Sequence, residues 1–299
     1  MQPYPSITIV TPNLNQGRFL AECLVSVIAQ NYPRLQHIVI DGGSTDDSVK
    51  VIDRYKDGLD YWCSEPDRGQ SDAINKGLRR ATGELVAWLN ADDLLLPGAL
   101  EHVAHAYSKD DRAPFYFGNG LRVDAQGVTK SEFFPVVPVI FDREALIYGL
   151  NYVLQPSTFM RRAALAECGW LDETLRWGMD TDLWIRLSAA GQPVFVDGLL
   201  SASREYEETK TSIGMFERVE ELRRIAERHS GAAMTPGVLC YYLDTLHRFS
   251  VMREDVFDAP FRSEAIESFW ARAATQLARF GARDDGFPFG PGAPDKTPQ

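Results

Sequence analysis

The stretch Glu84-Leu85-Val86-Ala87-Trp88-Leu89-Asn90-Ala91-Asp92-Asp93 joins an unbroken apolar run to a polar tetrad. The run from Leu85 to Leu89 has the length and composition of a strand buried on both faces of a parallel sheet. The tetrad from Asn90 to Asp93 then falls at the carboxyl end of that strand, where open α/β sheets bind ligands. Adjacent carboxylates repel each other unless solvent or a hard cation screens them. The tetrad is therefore either a solvated turn or part of a ligand site, and other segments of the chain are needed to distinguish the two.

The composition is that of a globular protein with a substantial core. The 299 residues are 44% hydrophobic and 24% charged, and the formal net charge is −11 at pH 7. Such an acidic chain lacks the basic surface that broad nucleic-acid binding requires, so we expect no nucleic-acid partner. No apolar run reaches the ~20 residues of a membrane-spanning helix, and the start MQPYPSITIV has no signal-peptide pattern. With four scattered cysteines, we expect a cytoplasmic protein with free thiols.

Strand and helix patterns alternate along the first third of the chain. Strands are predicted at 6–11, 36–41, 59–63 and 85–89, with helices between them. This alternation predicts βαβ units and a mostly parallel central sheet flanked by helices. Right-handed crossovers would place the loops Thr11–Asn13, Asp41–Gly43, 64–70 and Asn90–Asp93 along one edge. None of these loops has the glycine pattern of a dinucleotide site or a P-loop.

The second half of the chain changes character. A β-rich excursion is predicted at 115–124, strands at 155–160 and 194–196, and helices at 161–168, 178–187, 216–229, 238–249 and 263–280. We therefore predict an α/β domain over residues 1–210 and a helical C-terminal extension over 211–281. The last segment, 282–299, is rich in Gly, Pro and Asp, a composition that favours a disordered tail.

Three charged residues near the predicted edge each have more than one interpretation. Asp41 is either a helix cap or a ligand for a base or ribose, and Ser44 or Thr45 can supply the cap instead. Arg68 is either a solvated charge or a partner for a diphosphate. Asp72 can hold Arg68, bind a ribose hydroxyl or cap the helix that follows.

Asp180 and Asp182 lie two positions apart at the start of a predicted helix, so they project about 200° apart around its axis. Either one faces a cleft while the other braces the helix, or both are caps. A helix N-terminus stabilises an ionised carboxylate, which keeps it available as a base near neutral pH. Arg204 and Lys210 follow the last predicted strand and form either a phosphate-binding segment or a surface charge cluster.

Taken together, these segments resemble family-two glycosyltransferases with the A-type nucleotide-sugar-binding fold. The resemblance covers about residues 5–212 and leaves the C-terminal helices uncovered. The segments that carry it, in the order typical of the family, are Thr11-Pro12…Asn15, Ile40–Asp46, Asp72–Gly77, Ala81–Glu84, Asn90–Asp93, Gln155–Phe159 and Met179–Arg186.

The resemblance implies roles for the edge residues in binding a nucleoside-diphosphate-sugar donor, for which we expect a UDP-sugar. Asp41 would recognise the base, with the Thr11-Pro12-Asn13 backbone closing the base pocket. Asn90-Ala91-Asp92 matches the Asp-x-Asp motif of the family, with Asn90 in place of an Asp that contacts the ribose. Asp92, supported by Asp93, would coordinate Mn²⁺ or Mg²⁺ on the donor diphosphate.

The resemblance also implies an inverting transfer to an acceptor hydroxyl, in which Asp180 matches the base. Met179 replaces the Glu that usually precedes that base, which leaves Asp182 as a second candidate; we favour Asp180. Near Arg204, where many relatives carry a metal-binding His, this chain has Tyr206. These departures keep open the alternative of a catalytically silent nucleotide-sugar-binding or assembly subunit. A nucleotidyltransferase would need a Gly-rich loop after the first strand, which is missing.

The resemblance also implies partners other than the donor. We expect a glycan or lipid-linked acceptor and a role in cell-surface polysaccharide or glycan synthesis. The C-terminal helices are the candidates for a peripheral contact at the inner membrane face or for a homodimer contact. Internal packing of their aromatic residues is the competing interpretation.

Overall fold

The computed structural model describes residues 4–252, which fall into two compact units. The first unit contains the residues up to Arg143 together with Asn151–Ile213. The second contains Glu144–Leu150 and, within the described residues, 214–252. The helix predicted at 263–280 and the tail predicted at 282–299 lie outside the described residues. The sequence pattern did not assign 144–150 to the C-terminal part of the chain.

Nine strands and ten α-helices lie within residues 4–252. The strands are β1 (Ile7–Asn13), β2 (Leu35–Asp41), β3 (Tyr61–Ser64), β4 (Leu85–Trp88), β5 (Leu94–Leu95), β6 (Phe115–Val123), β7 (Thr129–Glu132), β8 (Thr158–Arg161) and β9 (Val194–Arg204). The helices are α1 (Gly17–Ile28), α2 (Ser48–Tyr55), α3 (Gln70–Arg80), α4 (Ala99–Lys109), α5 (Arg143–Tyr148), α6 (Arg162–Cys168), α7 (Met179–Leu187), α8 (Lys210–Ile213), α9 (Met215–Ser230) and α10 (Pro236–Met252).

The strands of the first unit form one sheet in the order β3-β2-β1-β4-β8-β6-β9-β5, with β7 paired to β6. The first four strands are parallel, as predicted. The other half is mixed, since β8 runs antiparallel to both β4 and β6 while β6 and β9 are parallel. The register places Asn13 beside Asp41 and Asp41 beside Ser64. Three polar side chains therefore meet at the carboxyl ends of adjacent strands.

Strand β1 lies at the centre of the parallel half and is buried along its whole length. On one face, Ile7 and Ile9 pack in a cluster with Cys23 and Val27 of α1. The other face carries α3, whose Gly77 lies so close that an added Cβ would come within 2.3 Å of Val10 Cγ1. A close helix approach on both sides explains why the neighbouring β4 run is continuously apolar.

The second unit is built around α9 and α10. The rings of Phe216 and Phe249 meet edge to face, with centroids 5.9 Å apart. Glu220 binds Arg223 on its own helix and accepts a hydrogen bond from Tyr242 across the pair. Among the helices of residues 4–252, none is long and apolar enough to span a bilayer.

Candidate active site

Asp41 organises the first part of the site. Its carboxylate accepts hydrogen bonds from Asn13 Nδ2 (2.5 Å), Ser44 Oγ (2.5 Å) and Ser64 Oγ (2.6 Å), and from the backbone N–H groups of Gly43 and Ser44. Burial raises the pKa of Asp41, but these hydrogen bonds outweigh burial and hold the pKa below its usual value. Asp41 therefore holds the turn after β2 and is not a helix cap, because α2 begins only at Ser48.

The segment Thr11-Pro12-Asn13 lies beside Asp41, as its predicted role requires. All three residues are buried. The Thr11 hydroxyl shares a 3.0 Å hydrogen bond with Nε2 of buried His37, so its side chain belongs to the core rather than to a pocket. The Asn13 carbonyl oxygen Oδ1 is buried and has no hydrogen-bond partner within residues 4–252. Such an orphaned acceptor is costly unless a ligand or water satisfies it.

Asn90 holds the polar tetrad in place. Its Oδ1 accepts a hydrogen bond from Gln70 Nε2 (2.8 Å), and its Nδ2 donates to Gln155 Oε1 (3.0 Å) and Asp93 Oδ2 (3.2 Å). Ala91 is buried in the cluster under α1 and α2. The Asn90 amide thus ties the end of β4 to α3 and to the segment before β8.

Asp93 is buried, and neither of its oxygens faces an open site. Oδ1 accepts the backbone N–H of Arg204 (3.1 Å), and Oδ2 accepts the Asn90 amide. Burial and then the charge of Asp92 raise the pKa of Asp93 to about 8, which favours the protonated form near neutral pH. The geometry contradicts Asp93 as a metal ligand, because this carboxyl attaches the tetrad to β9.

Asp92 is the carboxylate of the tetrad that fits a hard cation. It is partly exposed, and its Oδ1 accepts no hydrogen bond from the described residues, while Oδ2 accepts one from the Tyr206 phenol (2.8 Å). Residues 4–252 contain no preformed cluster of three His, Cys, Asp or Glu ligands. Mg²⁺-type sites often use one or two carboxylates together with substrate phosphates. Asp92 could therefore hold Mn²⁺ or Mg²⁺ together with phosphate oxygens of a donor.

The end of β9, at Arg204, fastens the tetrad to α1. Arg204 donates from Nη1 to the carbonyl of Asp92 (2.9 Å) and from Nη2 to Glu22, and its guanidinium stacks 4.6 Å from the Phe19 ring centroid. The Arg204 side chain is 2% exposed. It is therefore a clamp rather than part of an accessible phosphate-binding segment. Burial and then Asp92 raise the pKa of Tyr206 to about 12, so its phenol stays protonated.

Arg68 and Asp72 interact with each other, as one interpretation of the sequence proposed. Asp72 accepts hydrogen bonds from the Arg68 backbone (3.0 Å) and guanidinium (2.9 Å). The hydrogen bond from Arg68 lowers the pKa of Asp72 to about 2. Because Asp72 is buried and occupied, a ribose contact is not supported. The Arg68 side chain remains 75% exposed and also contacts Glu173. Lys210 donates to Gln70 Oε1 (2.6 Å), which brings Lys210 to the tetrad.

The two candidate bases, Asp180 and Asp182, have different environments on α7. Asp182 is fully buried, and its Oδ2 lies 2.8 Å from Nε of Arg186 one turn later. This pairing contradicts Asp182 as a base. Asp180 accepts the Thr181 backbone N–H (2.7 Å) at Oδ1 and the Asn151 amide (3.2 Å) at Oδ2. Met179 is buried and contacts the Ser71 hydroxyl through its sulfur, which explains an apolar residue at that position.

An aromatic contact connects α7 to the tetrad. Trp184, one turn after Asp180, stacks on Trp88 with ring centroids 5.4 Å apart and an interplanar angle of 12°. Trp88 ends β4, two residues before Asn90, so α7 packs directly on the strand that carries the tetrad. The sequence placed Ser64 and Gln70 on this edge and Gln155 in a segment that resembles the family, but it assigned no role to them, and it did not single out Asn151. They are neutral polar residues in or beside loops, and only their proximity in the fold indicates a role.

Comparison with known proteins identifies the class. The family model described as glycosyl transferase family 2 matches residues 8–168, more than half of the chain. The chain therefore belongs to glycosyl transferase family 2 and is a glycosyltransferase. It is 28% identical over 236 residues to an uncharacterized glycosyltransferase of Mycobacterium tuberculosis, covering 77% of this chain and 86% of that protein. A Rickettsia typhi uncharacterized glycosyltransferase is 26% identical over 231 residues, covering 73% of this chain and 70% of its own length.

Solved structures share the fold. S. aureus TarS 1-349 in complex with UDP-GlcNAc has a TM-score of 0.63 at 19% identity, with 92% of this chain and 81% of that chain covered. The mannosyltransferase PcManGT from Pyrobaculum calidifontis, in complex with GDP-Man and Mn²⁺, has a TM-score of 0.59 at 16% identity, with 94% and 82% covered. The α/β A-type glycosyltransferase fold predicted from the sequence is confirmed.

Proposed function

We propose that this glycosyltransferase is inverting and metal-dependent, and that it moves a sugar from a nucleoside-diphosphate-sugar to an acceptor hydroxyl. The observation that carries the proposal is the carboxylate of Asp92, which is partly exposed just after the end of β4. It lies on the same sheet edge as the Asn13–Asp41 turn and is linked to α7 through the Trp88–Trp184 stack. This arrangement supports the proposal of a nucleotide pocket, a diphosphate-binding site and a base close together.

The donor would bind across the ends of β1, β2 and β4. The unsatisfied Oδ1 of Asn13 is an acceptor for an N–H of the base, and Asp41 keeps that turn rigid. Arg68 and Lys210 supply positive charge for phosphate oxygens. The cation, when bound at Asp92, would neutralise charge on the departing diphosphate. The two similar solved structures are complexes with UDP-GlcNAc and GDP-Man, which supports a nucleotide-sugar donor, and we propose a UDP-sugar for this chain.

The chemical step would use Asp180 as the base. Its carboxylate takes the proton from the acceptor hydroxyl while the hydroxyl oxygen attacks the anomeric carbon. The bond from that carbon to the diphosphate breaks on the opposite face, and the diphosphate leaves with the electron pair. The Asn151 and Thr181 hydrogen bonds hold the Asp180 carboxylate in a fixed orientation.

The acceptor side follows from the sequence resemblance. We propose a glycan or lipid-linked acceptor in the synthesis of a cell-surface polysaccharide or glycan. The enzyme would act in the cytoplasm, and its C-terminal helices would make the peripheral contact with the inner membrane face or with a second copy.

The test is release of nucleoside diphosphate from UDP-glucose, UDP-GlcNAc and GDP-mannose, with and without Mn²⁺. We expect Mn²⁺-dependent release with one of these donors. Asp92→Ala and Asp180→Asn should each abolish transfer while circular dichroism and thermal melting stay unchanged. Full activity in both variants would refute the proposal. Donor binding by thermal shift without any release would favour the catalytically silent subunit instead.

A further inference from the structure

The Tyr206 phenol forms a hydrogen bond with the carboxylate of Asp92, the residue that the proposed function assigns to a cation. Its O–H donates to Asp92 Oδ2 over 2.8 Å. A hydrogen bond from the phenol stabilises the negative charge on Oδ2, so it makes that oxygen a weaker ligand for a divalent cation even though a second lone pair remains. A cation that uses both oxygens of Asp92 binds most strongly when the phenol has moved away from Oδ2.

Contacts with α1 hold the Tyr206 ring in this position. The ring centroid lies 5.3 Å from that of Phe19, and the Arg18 guanidinium lies 4.9 Å from the Tyr206 ring. Arg18 also pairs with Glu208 two residues further along the segment, at 3.6 Å. The hydroxyl contact with Asp92 is thus part of a built arrangement that spans α1, the tetrad and the segment after β9.

Displacing the phenol removes a hydrogen bond to a charged group, which makes cation binding to the donor-free enzyme weaker. A bound diphosphate changes this balance, because its oxygens are strong acceptors for the released phenol O–H. The lost hydrogen bond is then replaced, and the cation gains phosphate ligands as well. The cation and the donor would each bind more tightly in the presence of the other, as linkage requires.

We propose that Tyr206 is a positioning residue that couples cation binding to donor binding by holding Asp92 in the donor-free enzyme. The proposal rests on the proposed role of Asp92 as the cation ligand. It assigns to the phenol a function that the aromatic ring alone cannot perform. Tyr206→Phe therefore isolates it, since the ring contacts with Phe19 and Arg18 are kept.

The experiment measures Mn²⁺ binding to the full-length protein from the electron paramagnetic resonance signal of free Mn²⁺, without nucleotide. We expect Tyr206→Phe to bind Mn²⁺ about tenfold more tightly than the wild type, the effect of one hydrogen bond to a charged group. Calorimetry then gives the affinity for UDP with and without saturating Mn²⁺. The factor by which Mn²⁺ strengthens UDP binding should fall by a similar amount in Tyr206→Phe.

Two further variants separate the outcomes. Tyr32→Phe removes another buried phenol, which donates to the Pro5 carbonyl, and should bind Mn²⁺ as the wild type does. Asp92→Asn in the Tyr206→Phe background should abolish the gain in Mn²⁺ affinity. If Asp92→Asn reduces Mn²⁺ binding but Tyr206→Phe leaves it unchanged, the coupling role is wrong and the cation site stands. If Asp92→Asn has no effect on Mn²⁺ binding, the cation site itself is wrong, and the coupling role falls with it.

Discussion

Asp182→Asn should destabilise the protein but keep its transferase activity, whereas Asp180→Asn should keep the stability and lose the activity. Asp182 is fully buried and paired with Arg186, whose Nη atoms also donate to the carbonyls of residues 168–170. Removing one partner of a buried ion pair costs about 3–5 kcal/mol. The amide keeps an acceptor for Arg186, which is partly exposed and retains its carbonyl partners, so we expect a loss of about 2 kcal/mol. At roughly 2–4 °C per kcal/mol for a chain of this size, the Tm should fall by about 4–8 °C.

The assay pairs thermal melting by circular dichroism with nucleoside diphosphate release at a temperature well below the transition. Asp182→Asn should show the lower Tm and retain transfer. Asp180→Asn should keep a Tm near that of the wild type and lose transfer by about 10²–10⁴-fold, the usual contribution of a general base. A variant at Asp182 with the wild-type Tm and no transfer would refute the assignment, because it would place the base at Asp182.

Three further outcomes follow from buried contacts. Burial lowers the pKa of His37 from 6.5 to about 3. As the pH drops below 6.5, His37 therefore takes up a proton in the unfolded state but not in the folded state, and the free energy of unfolding decreases. His37→Gln should reduce the stability lost between pH 7 and pH 5 by about 2 kcal/mol, measured by urea unfolding at both pH values. Gly77→Ala should cost about 1–3 kcal/mol in the same unfolding assay, because its Cβ would overlap Val10. Gln70→Ala, which frees one side of Asn90, should raise the donor KM about tenfold in steady-state kinetics while the Tm changes little.

The parallel half of the sheet was predictable because its signal is local. Strands buried on both faces are continuous apolar runs, and the run from Leu85 to Leu89 is buried throughout. Short connections and right-handed crossovers then determine which loops share an edge. The pattern also located the Asn13, Asp41 and Asp92 positions on that edge before any side-chain geometry was known.

The strand order of the mixed half of the sheet was harder to predict from the sequence, because its antiparallel pairs join strands that are far apart in the chain. Nothing local in Thr158–Arg161 indicates that β8 lies between β4 and β6. Strand β9 was predicted to end at residue 196, yet it runs to Arg204 through Gly198, whose φ of 106° suits the register shift opposite Asn119. A glycine inside a strand pattern is compatible with either a turn or a bulge, and only the pairing distinguishes them.

Burial distinguishes site residues that look equivalent in the sequence. Asp92 and Asp93 are adjacent, yet the second is enclosed by Asn90 and the Arg204 backbone while the first is partly exposed. The 3.6-residue period left open whether one of Asp180 and Asp182 braces the helix or both cap it, and the pairing with Arg186 identifies Asp182 as a residue that braces it. Sequence spacing can state such an alternative, but the contacts that resolve it come from residues distant in the chain.

The departures from the family pattern have one electrostatic consequence. Asn90 and Met179 are neutral where acidic residues are usual, and the raised pKa of Asp93 favours its neutral form. A donor diphosphate at the tetrad would therefore face the partly exposed Asp92 carboxylate, which already accepts a hydrogen bond from the Tyr206 hydroxyl. Fewer fixed negative charges mean less repulsion toward the diphosphate and a weaker site for a cation alone. Both effects make the phosphate oxygens of the donor the main source of cation ligands. Under this condition, the Tyr206 phenol on Asp92 can couple cation binding to donor binding.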